Sequence, residues 1–493
     1  MKKILLYLSL LATGLINAQE VRPEDGIRYS LQDINGTARF RAMSGAFGAL
    51  GGDLSSLNVN PAGSVFFNNN YASISASVLN SKNKSNYFGT TTNENSSTLD
   101  LNQLGAVFIF TSDEKNWNKI ALGFNYENMK DFDNDLFLSG TNPNNSISKY
   151  FVDYANLYAN SSDFAYDQAQ MGYDTYIIDP TSNPDVFVSN VPSGGNYYQA
   201  NAISTTGFNG KMTANVAASY RDFLSIGLNL NLHITDYVRS SSLYESNSNP
   251  ENTLPQSTIR EIRFDNEVYT YGTGFSFNLG AIVKPTEFLR LGLSYESPTW
   301  YRLNKEVEAN IIGEFFDESG RLEFTEREFS AIELNTTTLS TPLILSAGGT
   351  FFVGKNGFIT ADVDYVDYSQ NRINSRDFDT SFANSDINAF LGSTLNYRVG
   401  GEYRFDIWRL RAGYAYYGDP STDESFDRSM QRISGGVGVR LSKLYVDFTL
   451  INSTSDRIYN SYSIFNNANQ NVGPFTEIRN SMTQGMVTVG FNF

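Results

Sequence analysis

The sequence predicts an all-β protein: a transmembrane antiparallel β-barrel of about fourteen strands, with an N-terminal helical hatch in its lumen. Three observations carry this. Apolar and polar residues alternate strictly through many segments, short and long connections alternate between those segments, and an export leader precedes them.

The alternation is clearest in Leu224–Thr235. Leu224, Ile226, Leu228, Leu230, Leu232 and Ile234 share one face, and Ser225, Gly227, Asn229, Asn231, His233 and Thr235 share the other. A period of two is a strand and not a helix. Ile120–Tyr126, Leu289–Tyr295, Ile359–Tyr365, Tyr397–Phe405, Leu410–Tyr416, Ile433–Leu441 and Leu444–Leu450 repeat it. Strands are expected near 71–80, 101–111, 119–130, 206–220, 223–238, 262–283, 287–302, 336–353, 358–369, 393–405, 408–417, 431–441, 444–452 and 481–493. Twelve and sixteen are the alternative counts. Tight connections at Arg221-Asp222, Lys284-Pro285-Thr286, Gly354–Gly357, Asp406-Ile407 and Ser442-Lys443, and a slightly longer one at 112–118, alternate with long ones at 81–100, 131–205, 239–261, 303–335, 370–392, 418–430 and 453–480. Short periplasmic turns and long outer loops mark an outer-membrane barrel. A soluble sandwich or propeller does not require that asymmetry. In the last segment, Val487, Val489, Phe491 and Phe493 share a face. It reads as the closing strand, with Phe493 as the aromatic that the barrel assembly machinery recognises and outer-membrane lipid around it.

Composition fits an exported membrane barrel. Lys2 and Lys3 precede an apolar run, Ile4 to Ile16, and Ala18 offers a small residue at a cut. Residues 1–18 therefore read as a cleaved signal peptide, 19–70 as the hatch and 71–493 as the barrel. After the leader no run of about 18 apolar residues forms a transmembrane helix. Mean hydropathy is −0.31, yet the chain holds 36 Phe, 30 Tyr and 3 Trp. A polar lumen, an apolar outside and aromatic girdles give that mixture. The formal charge of −16 argues against nucleic acid as a partner. Cysteine is absent, which excludes disulfides, thiolate nucleophiles and thiolate metal sites.

Little points to catalysis, and neither an enzyme activity, a cofactor nor a metal is expected. The one histidine, His233, faces the predicted lumen, whereas a lipase barrel needs its Ser–His pair facing lipid. Asp131, Asp133 and Asp135 lack the full ligand spacing of a calcium loop and read as a solvated acidic patch. The 131–205 loop is too long for a plain connection and rich in aromatics such as Tyr150, Phe151 and Tyr154. Short helices are expected within 146–171. Its aromatics either pack the loop or form an apolar landing place.

Before the first strand, Gly36–Leu50 is small and apolar at helical spacing. Gly51-Gly52-Asp53-Leu54-Ser55 and Asn60-Pro61-Ala62-Gly63 follow. This segment resembles the hatch of the FadL family of outer-membrane transport proteins, which carries a small-residue helix, an acidic residue followed by Ser, and an Asn-Pro-Ala-Gly turn before the first strand. The detailed match covers about residues 29–67, and Val59 stands where an aromatic is usual. The resemblance implies a monomeric fourteen-strand barrel closed by a hatch, with Asp53, Asn60, Pro61, Ala62 and Gly63 at the gate. It implies that a hydrophobic ligand, fatty-acid-like or aromatic, lands on outer loops and moves to an inner pocket. The ligand would then leave sideways through a gap made by an inward kink in the third strand, here 119–130 with Gly123 on its lumen face. Transport would be passive. The alternative is a PorV-like protein-interaction component of a secretion system, for which a flat, open lumen is expected.

Parity adds a lumen set. With apolar residues outward, Arg290, Glu296, Asp362, Asp364, Arg398, Glu402, Arg404, Arg411, Arg440 and Asp447 all face inward. A charge on the lipid face costs about 2–4 kcal/mol at the midplane. Several lie close to short turns, where a plug must be held. They pair with one another and with Arg39, Arg41 or Asp53, or they form a solvated wall.

Overall fold

The computed structural model describes residues 23–31, 35–112, 116–158, 164–250, 258–316, 319, 321–376, 380–423, 426–466 and 471–493. The proposed signal peptide lies outside them. Among the described residues, eighteen paired strand segments form one closed antiparallel wall of fourteen staves, because four staves are interrupted. They are β1 Tyr71–Tyr87, β2 Thr90–Thr111, β3 Trp117–Asp131 continuing as Asn134–Asn142, β4 Tyr197–Tyr220, β5 Leu224–Asn247 and β6 Thr258–Thr286. β7 is Leu289–Glu296 with Trp300–Phe316, β8 Leu322–Ser340 with Ile344–Val353, and β9 Gly357–Asp367 with Arg372–Ser375. β10 Ser393–Phe405, β11 Trp408–Tyr417, β12 Met430–Leu441, β13 Leu444–Asn460 and β14 Phe475–Asn492 complete it. Closure joins first to last, from Tyr71↔Asn492 to Ser85↔Ile478.

Parity decides the facing. Leu230, Leu232, Ile359, Tyr403, Ile433 and Phe491 are exposed on the outside, while Asn229, Asn231, Thr360 and Thr488 are buried within. The tight turns are made by left-handed residues, such as Arg221 (φ 51°) and Asp222 (φ 54°) between β4 and β5. Two consecutive positive φ values match the twist of a two-residue hairpin.

Several segments expected as loops are strand instead. β1 and β2 run through most of 81–100, and β7 and β8 through most of 303–335. The 239–261 and 453–480 connections are likewise shortened by β5, β6, β13 and β14. Beyond the membrane both faces of a hairpin meet water or the cap, so the apolar/polar period that identifies a strand fades while the ladder continues. The 131–205 connection does form two helices, α3 Ser148–Tyr158 and α4 Phe164–Asp174. Phe151, Met171, Ile177 and Ile178 are buried against Leu243, Ile259, Ile262 and Ile311 of the extended strands. This packing makes a cap.

The hatch departs from the long helix expected over Gly36–Leu50. α1 spans Pro23–Ser30, and α2 only Ala38–Ala42, N-capped by Thr37 and stopped where Ser44 (φ 49°) and Gly45 (φ 75°) turn left-handed. The glycines at 45, 48 and 51 carry low helix propensity. The segment folds into short turns that fit the lumen, and Phe40, Met43, Phe47, Leu54 and Leu57 are all buried there.

Candidate functional site

The Asn60–Gly63 turn is seated on the wall by hydrogen bonds. Asn60 Nδ2 donates to the carbonyls of Gly48 (2.8 Å), Ala281 (3.2 Å) and Leu293 (3.3 Å). Its Oδ1 accepts from the Ala62 amide at 3.1 Å, capping the short helix Pro61–Phe66. Asn215 Nδ2 reaches the Pro61 carbonyl at 3.0 Å, and Gly52 N donates to the Gly63 carbonyl at 3.0 Å. The wall makes room for this. A methyl group at Gly227 would overlap the Pro61 backbone, and one at Gly280 the Asn60 carboxamide. These lumen-facing glycines were missed as site residues. Their sequence signal is glycine recurring on the inward parity of neighbouring strands, where polar residues would otherwise stand.

Asp53 is buried and accepts from Thr37 Oγ1 (2.7 Å) and Ser55 N (3.0 Å). Arg39 of the hatch lies 3.7 Å from Asp53 and 3.2 Å from Glu402. Glu402 also takes Arg404 at 2.7 Å and Arg411 at 2.8 Å, and Arg411 continues to Asp447. A second group joins Arg398 to Asp364 at 2.7 Å and Asp362 at 3.7 Å, and Asp362 accepts the Gly48 amide at 2.8 Å. Arg290 donates to the Leu50 carbonyl at 2.7 Å and covers the Phe66 ring. Arg41 reaches Gln484. Arg440 stays apart, exposed over the Tyr445 ring. Glu296 points to a cavity.

That cavity, of about 120 Å³, lies between hatch and wall. Phe40, Met129, Tyr301 and Ile344 give it apolar surface, while Lys211 and Glu296 give it charge. An engineered apolar cavity of about 150 Å³ holds benzene, so this space matches a ring or a short piece of chain. A longer ligand needs hatch or side-chain movement. His233 lines the cavity, with Nε2 2.9 Å from Ser276 Oγ and Nδ1 3.4 Å from the Tyr301 hydroxyl.

The cavity also touches a break in the wall ladder. The β2–β3 ladder runs only from Thr111↔Lys119 to Gln103↔Glu127. Beyond it, the outer part of β3 pairs with β4 alone. Two bulges stand at this height. Asn102 has no opposite residue on β1, and the β3–β4 register slips between Asn128 and Lys130. Bulges bend a strand and end pairing. Gly123 lies below this break, in an intact rung with Val107, and faces Leu57 of the hatch. The interruption of the third strand is thus at 128–133. Asp131, Asp133 and Asp135 order it: their carboxylates accept from Asp133 N, Gly207 N and Ser204 Oγ at 2.7, 3.1 and 2.7 Å. In place of the expected solvated patch, Asp131 and Asp133 cap backbone amides and Asp135 holds a serine hydroxyl. Among the described residues no group of His, Cys, Asp or Glu is arranged to hold a metal ion.

A family model described as outer membrane protein transport protein (OMPP1/FadL/TodX) matches residues 195–431. Among solved structures the chain is similar to a Pseudomonas aeruginosa FadL homologue, at 13% identity over 94% of this chain and 100% of that one, with a TM-score of 0.55. It is also similar to the Pseudomonas putida toluene transporter TodX, at 13% identity over 94% and 99% of the two chains, with a TM-score of 0.52. No curated protein sequence matches. The family match bears out the FadL-family resemblance read from the hatch, and the two solved structures share this chain's closed fourteen-strand antiparallel barrel fold.

Proposed function

We propose that this FadL-like barrel carries hydrophobic small molecules passively across the outer membrane. The extracellular cap captures the ligand, the lumen cavity holds it, the hatch gates it, and the β2–β3 break releases it sideways. The observation that carries this reading is a shared boundary: Glu127, Met129 and Lys130 line the cavity and also flank the place where the wall ladder stops. A greasy molecule leaving there enters lipid and avoids the aqueous periplasm. The matched family is described as one of transport proteins, and one solved relative is a toluene transporter. The sequence holds no nucleotide-binding loop, so the driving force is the ligand's own gradient.

A flat, open lumen would favour a protein-interaction role. The hatch residues that fill it favour transport. The ligand class stays at a hydrophobic molecule, aromatic or fatty-acid-like, because the cavity offers both ring-sized apolar surface and the charges of Lys211 and Glu296.

The test is uptake of radiolabelled toluene and of radiolabelled hexadecanoate by cells expressing the protein, against cells carrying the empty vector. A rate at least about threefold above the vector for one probe supports the reading. Equal rates for both probes, with the barrel folded and abundant in the outer membrane, reject it.

A further inference from the structure

The end of the β2–β3 ladder is closed by a residue from outside the wall. Asn35 precedes α2 and is buried. Its Nδ2 donates to the Asn128 carbonyl at 2.6 Å, one residue beyond the last β2–β3 rung, and lies 3.5 Å from Asp100. Its Oδ1 accepts from Asn102 Nδ2 at 3.0 Å. Asp100 in turn accepts from Asn102 at 2.7 Å and Asn128 at 2.9 Å. One hatch-side carboxamide therefore bridges β2 and β3 at the height where their own pairing fails.

Ladder bonds below this bridge belong to continuous strands. At the ladder's end stands a cluster of four side chains in which the Oδ1 atoms of Asn102 and Asn128 are buried without a partner. Farther out, side chains alone tie the outer part of β3 to β2 and β1, Thr92 Oγ1 of β2 donating to the Phe137 carbonyl and Asn83 Nδ2 of β1 to that of Asp135. A buried polar network that is only partly satisfied is weaker than a complete one. Asn35 also lines the cavity, so a molecule there meets this bridge directly.

We propose that Asn35 is a latch on the wall: its carboxamide ties β2 to β3, and its withdrawal from that site opens the barrel sideways to lipid. The proposal rests on the transport reading and adds the residue that regulates release. Asn35 acts through Asp100, Asn102 and Asn128 and is a positioning residue.

The chain has no cysteine, so a single reporter can be placed at Gln103, which is buried in the last rung. The full-length protein is reconstituted in lipid vesicles and labelled with N-dodecylmaleimide, which partitions into the bilayer. The reporter Gln103→Cys is compared with and without Asn35→Ala, and with Asn35→Asp, which sets a carboxylate beside Asp100. Heat-modifiable mobility on gels confirms folding of each. Both second substitutions are expected to speed labelling at least tenfold, and in cells to raise uptake of whichever probe the wild type carries. Labelling rates unchanged in both overturn the latch, whatever uptake does. Faster labelling in a protein that carries neither toluene nor hexadecanoate keeps the latch and removes the transport reading instead.

Discussion

Arg39 of the hatch and Glu402 of β10 meet at 3.2 Å, and they make the electrostatic joint between plug and barrel. Glu402 is the single anion that touches Arg39, Arg404 and Arg411 together. Its side chain is 2% exposed, and that of Arg411 4%. Removing one partner of a buried pair leaves uncompensated charge and costs about 3–5 kcal/mol. Glu402→Gln is therefore expected to unseat the hatch while the strand ladders stay intact. Single-channel recordings in planar bilayers should show frequent ion-conducting openings absent from the wild type, with heat-modifiable migration on gels preserved. A sealed Glu402→Gln barrel makes this joint dispensable.

Asn60 and Ala62 give a second, uncharged route to the same movement. Asn60→Ala deletes the contacts to Gly48, Ala281 and Leu293, at a net cost of about 1–3 kcal/mol for the buried carbonyls. Ala62 is fully buried, so Ala62→Leu overpacks the turn by about 1–3 kcal/mol more. The double variant is expected to change the uptake rate of the carried probe by at least about threefold with barrel yield unchanged. Wild-type uptake, together with a wild-type seal to ions, assigns the turn a purely structural role.

The wall was legible because one physical rule governs it: lipid outside and a polar lumen inside force period two, as in Leu224–Thr235. The rule also placed Glu402, Arg411, Asp362 and Asp447 on the inner face. It lapsed where its cause lapses. In β1 above the membrane, Asn83 and Ser85 are buried while Lys82 and Lys84 are exposed, a pattern with no apolar face to read. Pairing of the lumen charges with Arg39 was expected, but parity alone could not pick Glu402 from the ten, because it gives the face and not the height. The bridge made by Asn35 was not legible, since it forms across a bulge. Asn102 is such a bulge, and nothing in its local sequence marks it. The hatch helix was overread because small residues at helical spacing also suit tight turns.

Orientation gives a prediction independent of gating. Asn144 is exposed beside the cap, and Lys355 is exposed in the β8–β9 turn at the other end of the barrel. In a chain without native cysteine, Asn144→Cys and Lys355→Cys report one side each. Intact cells treated with a membrane-impermeant maleimide should label the first at least about tenfold faster than the second. Equal labelling contradicts the assignment of long connections to the outside.

Glu245, near the outer end of β5 and well above the roughly 11 residues that a strand needs to cross the membrane, holds the base of the cap. Its carboxylate accepts from Ser146 Oγ, from the Ile147 amide at 2.8 Å and from Gln199 Nε2 at 2.7 Å. Burial pushes its pKa up to about 7, against the hydrogen bonds from Ser146, Gln199 and Ile147. The seated cap therefore binds a proton more tightly than the opened cap, whose carboxyl titrates near 4.5. Seating is strongest below that value, weakens as pH rises towards about 7, and is level above it. Proteolysis between Ser148 and Asp174, normalised to the protease's rate on an unfolded substrate, should run at least about tenfold faster at pH 8 than at pH 5. Glu245→Gln keeps an amide able to face the same three partners and removes the ionisation, so its profile should be flat. A wild-type profile as flat as the variant's means that the Glu245 proton has no part in holding the cap.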